Sequence, residues 1–150
     1  MSVARVFLDT NVLVYLFDDD SPRHQQLARD VFAEHSRAGL IVLSPQVLQE
    51  LYVTVTRKLS RPVAPEAALA AVTNLAAFPL VAVDGGTVLR AVHLHQSATL
   101  SFWDALIVQA ALEGNCKRLL SEDLQSGRRF GDLVVENPFA ALQGPDARRG

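Results

Sequence analysis

Four carboxylates stand where the sequence is otherwise apolar. Asp9, in "FLDTN", separates the run Val6-Phe7-Leu8 from the run Val12 to Phe17. Asp123, in "RLLSED", follows another strand-like run, Arg118-Leu119-Leu120, and so repeats that arrangement. Two parallel strands that end in acids place those acids on one sheet edge, beyond the strand carboxyl ends where ligands bind in open α/β folds. Asp104, in "SFWDALIVQAALEG", shares a predicted helix face with Ile107, Val108 and Ala111. A lone carboxylate buried there costs several kcal/mol unless a cation or a donor meets it. Glu50, in "SPQVLQELYVTVTRKL", borders the helical apolar stripe of Val47, Leu48, Leu51, Tyr52, Val55 and Leu59.

Each acid taken singly also has a structural explanation. Asp9 can cap a helix beginning near Asn11, Asp104 can complete a capping box on Ser101, and Glu50 can be a solvated boundary residue. Ser121-Glu122-Asp123 can be a polar turn in which side chains alternate in direction, so that only one acid points inward; of the two, Asp123 fits the inward role better than Glu122. Taken together, the acids demand more. Gathered at one sheet edge they repel one another, and divalent cations neutralise such a cluster. An all-oxygen donor set without His or Cys selects hard ions, Mg²⁺ or Mn²⁺. Such a site suits phosphate chemistry, because a bound ion lowers the pKa of a water, polarises a phosphoryl oxygen and stabilises a leaving oxygen.

The elements that must position these acids follow from the apolar pattern. Strands are expected at Val3 to Leu8, Leu40 to Leu43, Leu80 to Val83, Arg118 to Leu120 and Leu133 to Val135. Helices are expected at about 11–18, 22–37, 45–59, 65–78, 85–97 and 102–114. Ser21-Pro22 and Ser44-Pro45 each set an N-cap serine before an N1 proline, and Ser101 precedes the helix of Asp104. Strands alternating with helices predict an α/β sandwich on a mainly parallel sheet. The acidic run Asp18-Asp19-Asp20 reads as a solvated turn leading to Ser21. Residues 144–150 lack apolar content and are expected to form a loose tail beyond one domain at 1–143.

Composition bounds the rest. A chain of 150 residues suits a single core, and 49% hydrophobic against 20% charged residues excludes wholesale disorder. The apolar surplus, with a mean hydropathy of +0.18, suggests a buried subunit interface. A net charge of -2 gives no global attraction for nucleic acid, so any such partner meets a local patch. A single cysteine, Cys116, leaves no internal disulfide or Cys-based zinc cluster and fits the reducing cytosol. The N-terminal apolar run, broken by Asp9 and Asn11, is expected to be neither an anchor nor a signal peptide.

The segments "FLDTNVLVYLF", "LSPQVLQELYVTVTRKL", "LSFWDALIVQAAL" and "LLSEDLQSGRRFGDLVVENPF" together resemble the PIN-domain ribonucleases, and most closely the VapC toxins of bacterial toxin–antitoxin pairs. Four separated motifs in order cover nearly the whole chain. The resemblance implies a PIN-like α/β/α sandwich. It also implies that Asp9, Glu50, Asp104 and Asp123 form an acidic quartet that binds Mg²⁺ or Mn²⁺ and positions an attacking water. Thr10, Asn11 and Ser121 would support the acids by hydrogen bonding, with Glu122 standing beside the fourth. The implied activity is endonucleolytic cleavage of single-stranded RNA regions, those of tRNA included, leaving 5′-phosphate and 3′-hydroxyl ends. The implied partners are a cognate antitoxin, which lays a peptide across a groove near the site, and a second copy of the chain in a homodimer.

Two other readings compete. A haloacid-dehalogenase-like phosphatase also begins with an Asp after its first strand but wants a second Asp two residues later, where this chain has Asn11. A PIN-like module that binds RNA or protein without catalysis is the non-enzymatic alternative. Among basic residues, Arg57, Lys58 and Arg61 cluster at the end of the Glu50 helix, while Arg128 and Arg129, near Asp123, are the foremost candidates for phosphate contact. Trp103 is expected in the core or an interface, although an indole can also stack on a base. The four histidines show no ligand spacing and are expected mostly at the surface.

Overall fold

The computed structural model of the protein describes residues 4–142. Its centre is a five-stranded sheet built on β1 (Arg5–Leu8), β2 (Ile41–Val42), β3 (Cys116–Leu120), β4 (Arg129–Phe130) and β5 (Leu133–Glu136), in the order β2-β1-β3-β5-β4. All neighbours are parallel except β4 and β5, which pair antiparallel. Helices cover both faces of the sheet, giving an α/β/α sandwich. That double cover is the reason Val6, Phe7 and Leu8 are consecutive apolar residues: all three have no solvent exposure.

The helices are α1 (Thr10–Val14), α2 (Pro22–Arg37), α3 (Pro45–Arg57), α4 (Pro65–Leu75), α5 (Gly85–Ser97) and α6 (Phe102–Glu113). The helix expected at 11–18 tightens after Val14 into a 3-10 turn, Tyr15–Phe17. Asp18 ends it, because its carboxylate accepts from the Asp20 backbone N–H at 3.1 Å and from Ser21 Oγ at 3.0 Å. Ser21 is thereby used up, and neither it nor Ser44 makes the expected side-chain cap bond. Ser101 does, accepting from the Asp104 backbone N–H at 3.1 Å. The acidic run has a structural use as well, since Asp20 bonds Ser60 and Arg61 and ties this turn to the segment after α3.

The strand expected at Leu80 to Val83 is a correction. Only one residue pair bridges, Leu43 with Leu80. Val81 N–H bonds the Leu43 carbonyl, but the ladder would next need an N–H from residue 45, which is Pro45, and the Asp84–Thr87 capping box then starts α5 almost at once. The short antiparallel β4 was not foreseen, having only two residues on the sheet edge. His35 also departs from expectation: it is buried, its Nδ1 donating to the Val31 carbonyl at 2.7 Å while Arg118 Nη1 lies 3.1 Å from its Nε2. Cys116 is buried, and burial pushes its thiol pKa up to about 11. Among the described residues no helix is long and apolar enough to cross a membrane. The expected start at Val3 and the tail at 144–150 lie outside the described residues.

Gly114, which closes α6, sits hard against the core: a Cβ there would meet Val81 Cγ2 at 3.0 Å and Val42 Cγ1 at 3.1 Å. Gly114→Ala is therefore expected to lower stability by about 1–3 kcal/mol, measured by denaturant unfolding. An unchanged midpoint would show that Val81 and Val42 yield freely.

Candidate active site

The register of β1 against β3 builds the site. Leu8 pairs with Leu120, and the Asp9 backbone N–H donates to the Leu120 carbonyl at 2.9 Å. The two strands thus end together, and Asp9 emerges beside Ser121. Asp9 is buried, caps α1 by accepting from Thr10 N–H at 2.7 Å, and accepts from Ser121 Oγ at 2.8 Å.

The next two residues reach further acids. Thr10 Oγ1 donates to Glu50 Oε2 at 2.8 Å, and Asn11 Nδ2 donates to Asp123 Oδ2 at 3.1 Å. Asn11 Nδ2 also lies 3.4 Å from Asp9 Oδ2. The Asn11 amide is itself oriented by its oxygen, which accepts from the Glu122 backbone N–H at 3.1 Å. Ser121 Oγ completes the turn by accepting from the N–H groups of Asp123 and Leu124, at 3.1 and 3.3 Å.

The structure thus brings Asp9, Glu50 and Asp123 into one hydrogen-bonded group. Asp104 stands beside them in the first turn of α6, near enough that Asp123 and Glu50 act on it electrostatically. Burial raises the Asp104 pKa; the Ser101 bond lowers it and repulsion from Asp123 and Glu50 raises it further. Burial also pushes Asp9 up to about 6 against the opposing bonds from Ser121 and Thr10, and the charges of Asp123 and Glu50 add to the rise. Among the described residues none of the ion pairs involves these four acids.

Glu122 is engaged by Tyr15. Its Oε1 accepts from Tyr15 OH at 2.8 Å, and Tyr15 stacks on His24, whose Nε2 lies 3.8 Å from Glu122 Oε2. Burial, first, and the Glu122 carboxylate raise the Tyr15 hydroxyl pKa, so Tyr15 stays a neutral donor.

Thr10, Asn11, Glu50, Glu122 and Asp123 line an open groove of about 840 Å³. Three residues stand otherwise than the sequence suggested. Trp103 is 63% exposed and lines the groove instead of the core, because α6 sinks into the protein only from Ala105 onward. Arg128 and Arg129 do not line it: Arg128 donates to the Thr99 carbonyl at 3.1 Å and lies over the Phe130 ring, while Arg129 is exposed on β4. Lys58 is the cation that does. Gln46 was missed altogether. Its Nε2 donates to Glu50 Oε1 at 2.8 Å and to the Trp103 carbonyl at 3.3 Å. Its position four residues before Glu50 on a predicted helix was the available signal.

The donor chemistry fits a hard divalent cation: oxygen donors only, with excess negative charge and, among the described residues, no ion-pair partner. The acids are held apart by neutral donors, and among the described residues no group of three or more His, Cys, Asp or Glu side chains is already arranged to hold an ion.

A PIN domain family model matches residues 6–129. The chain belongs to the PIN domain family. Solved structures agree on the fold. A chain of the VapBC2 complex from Rickettsia felis, bound to a DNA fragment from their promoter, is similar with a TM-score of 0.63 at 18% identity, covering 88% of this chain and 97% of that one. A toxin–antitoxin complex from Klebsiella pneumoniae gives 0.64 at 18% identity, covering 89% and 97%. VapC20 from Mycobacterium tuberculosis, a sarcin-ricin loop cleaving toxin, gives 0.61 at 22% identity, covering 79% and 91%. No curated protein is a significant match.

The raised Asp9 pKa has a stability consequence. Folding favours the protonated acid, so the contribution of Asp9 to the stability of the metal-free PIN domain is fully present below about pH 4 and is lost as pH rises through about 6. The displacement from 3.8 to about 6 corresponds to on the order of 3 kcal/mol. Asp9→Asn removes that ionisation, and melting curves of the metal-free variant between these pH values are expected to be flatter than those of the parent. The same slope in both proteins would exclude Asp9 as its source.

Proposed function

We propose that this PIN domain is a Mg²⁺- or Mn²⁺-dependent endoribonuclease and the toxin of a type II toxin–antitoxin module. The observation that carries this reading is that Asp9, Glu50, Asp104 and Asp123, from four separated segments, lie within electrostatic reach of one another beside a groove that Glu50 and Asp123 line, and that no ion pair among the described residues engages any of them. The family match and the fold shared with VapC-type structures support it.

In this reading the four acids hold the ion directly or through water. The ion, when bound, supplies a water of lowered pKa and neutralises charge on the phosphoryl oxygens. The chain's own residues do the rest. Thr10 fixes Glu50, Asn11 fixes Asp123 and Ser121 fixes Asp9, so the acids keep their places while the substrate enters. The water oxygen bonds to phosphorus and the bond to the 3′-oxygen breaks. That oxygen leaves as a 3′-hydroxyl, the attacking water giving up one proton to the solvent and the 3′-oxygen taking one from it, and the other product carries a 5′-phosphate. An antitoxin peptide along the groove is the proposed inhibitor, the working assembly is a homodimer, and the compartment is the cytoplasm.

The non-catalytic alternative draws on the acids being held apart. Calorimetry with Mn²⁺ separates the two, since absence of binding at the acids favours a module that only binds RNA or protein.

Asp9→Asn and Asp104→Asn are each expected to lower cleavage of single-stranded RNA at least about 100-fold with an unchanged circular dichroism spectrum. Chelation is expected to silence the parent and Mn²⁺ to restore it. Full activity in purified Asp9→Asn protein would overturn the assignment.

A further inference from the structure

We propose that Trp103 is a nucleobase-stacking platform: it receives a base of single-stranded RNA and thereby sets the adjoining phosphodiester beside the acids. The proposal rests on the nuclease reading above and goes further in naming the group that grips the substrate.

Trp103 is 63% exposed on the groove and adjoins Asp104 in sequence. It is also braced. Phe102 meets its ring edge-on, with centroids 5.2 Å apart and planes at 69°, and Gln46 Nε2 donates to its carbonyl. A face held in this way loses little freedom when a ligand settles on it. Every base presents a π face, so such a platform binds single strands with little regard for sequence.

Gln46 adds an independent sign of a ligand. Both groups that its amide meets, the Glu50 carboxylate and the Trp103 carbonyl, are acceptors, so the NH₂ must face them. Its Oε1 remains, buried and without a partner, on a residue that lines the same groove. A base amine or a ribose 2′-hydroxyl can donate to it once the side chains that cover this oxygen move aside. Lys58 also lines the groove, two helical turns or about 12 Å along α3 from Glu50, and offers a cation to a further phosphate. An indole in an acidic groove also attracts an Arg- or Lys-bearing peptide. Single-stranded RNA accounts for the platform, the lone acceptor and the cation together.

Trp103 is the only tryptophan of the chain, so its fluorescence reports the contact directly. Titrating the Asp9→Asn protein in Mg²⁺ with a short single-stranded RNA is expected to quench the emission, and an abasic strand of the same length is expected not to. In steady-state cleavage by the parent, Trp103→Ala is expected to raise KM about tenfold with kcat little changed, and Trp103→Phe to recover most of the loss. Melting by circular dichroism checks that Trp103→Ala is folded. An abasic nucleotide beside the scissile bond is expected to penalise the parent about tenfold and the Trp103→Ala enzyme no further.

Quenching by an arginine-rich peptide but not by RNA would overturn the proposal in favour of a protein partner. Equal abasic penalties in parent and variant would overturn it while leaving the nuclease reading intact. Base-dependent quenching in a protein that cleaves no RNA would uphold the platform and sink the nuclease.

Discussion

The constraint on which this protein turns is the packing of several carboxylates at the carboxyl edge of two buried parallel strands. Such groups repel one another and resist desolvation, and here no Lys or Arg among the described residues pairs with them. What holds Asp9, Glu50 and Asp123 is a set of neutral donors from Thr10, Asn11, Gln46 and Ser121. Asp9 contributes the buried acid, the Thr10 hydroxyl reaches Glu50, and the Asn11 amide reaches Asp123. Neutral donors satisfy oxygen lone pairs without cancelling charge. The acids are therefore ordered without a counterion, which is what a site proposed to attract a divalent cation requires.

The surrounding architecture follows from that edge. β1 and β3 must be neighbours in register for Ser121 to reach Asp9, and both are apolar enough to be covered on two faces. α3 then delivers Glu50 and Gln46, and α6 delivers Asp104 and Trp103, from its first turn where the helix has not yet entered the core. Four of the basic side chains are engaged elsewhere. Arg61 pairs with Asp20, Arg90 with Glu113, Lys117 with Asp132 and Arg118 with Glu136. A charged cluster without counterions is a stability cost localised at the place where function is proposed, a common arrangement in sites that bind ions.

Much of this was legible in the sequence because the signals were local. An acid directly after an apolar run marks the end of a buried strand, and two such runs in a parallel sheet put their acids together whatever lies between. The order of the four motifs carried the family, and Ser101 before Asp104 carried a cap that the structure shows. Local signals also misled. Ser44 and Ser21 precede prolines as N-caps do, yet Ser44 Oγ is buried without a partner and Ser21 is taken by Asp18. Apolar content at Leu80 to Val83 suggested a strand, but after Val81 N–H bonds the Leu43 carbonyl the ladder would next need an N–H from residue 45, which is Pro45 at the start of α3.

The sequence by itself determined the alternating α/β pattern, the acids at the ends of β1 and β3, and the polar residues flanking them. These depend on residue type and on spacing along one chain. Only the tertiary structure decided that Trp103 faces the groove, that Gln46 joins it to Glu50, that Lys58 and not Arg128 supplies the nearby cation, and that Glu122 turns to Tyr15. Each of those outcomes depends on which helix packs beside which strand end. Contacts between residues distant in sequence are set by the closing of the core, and no local period records them.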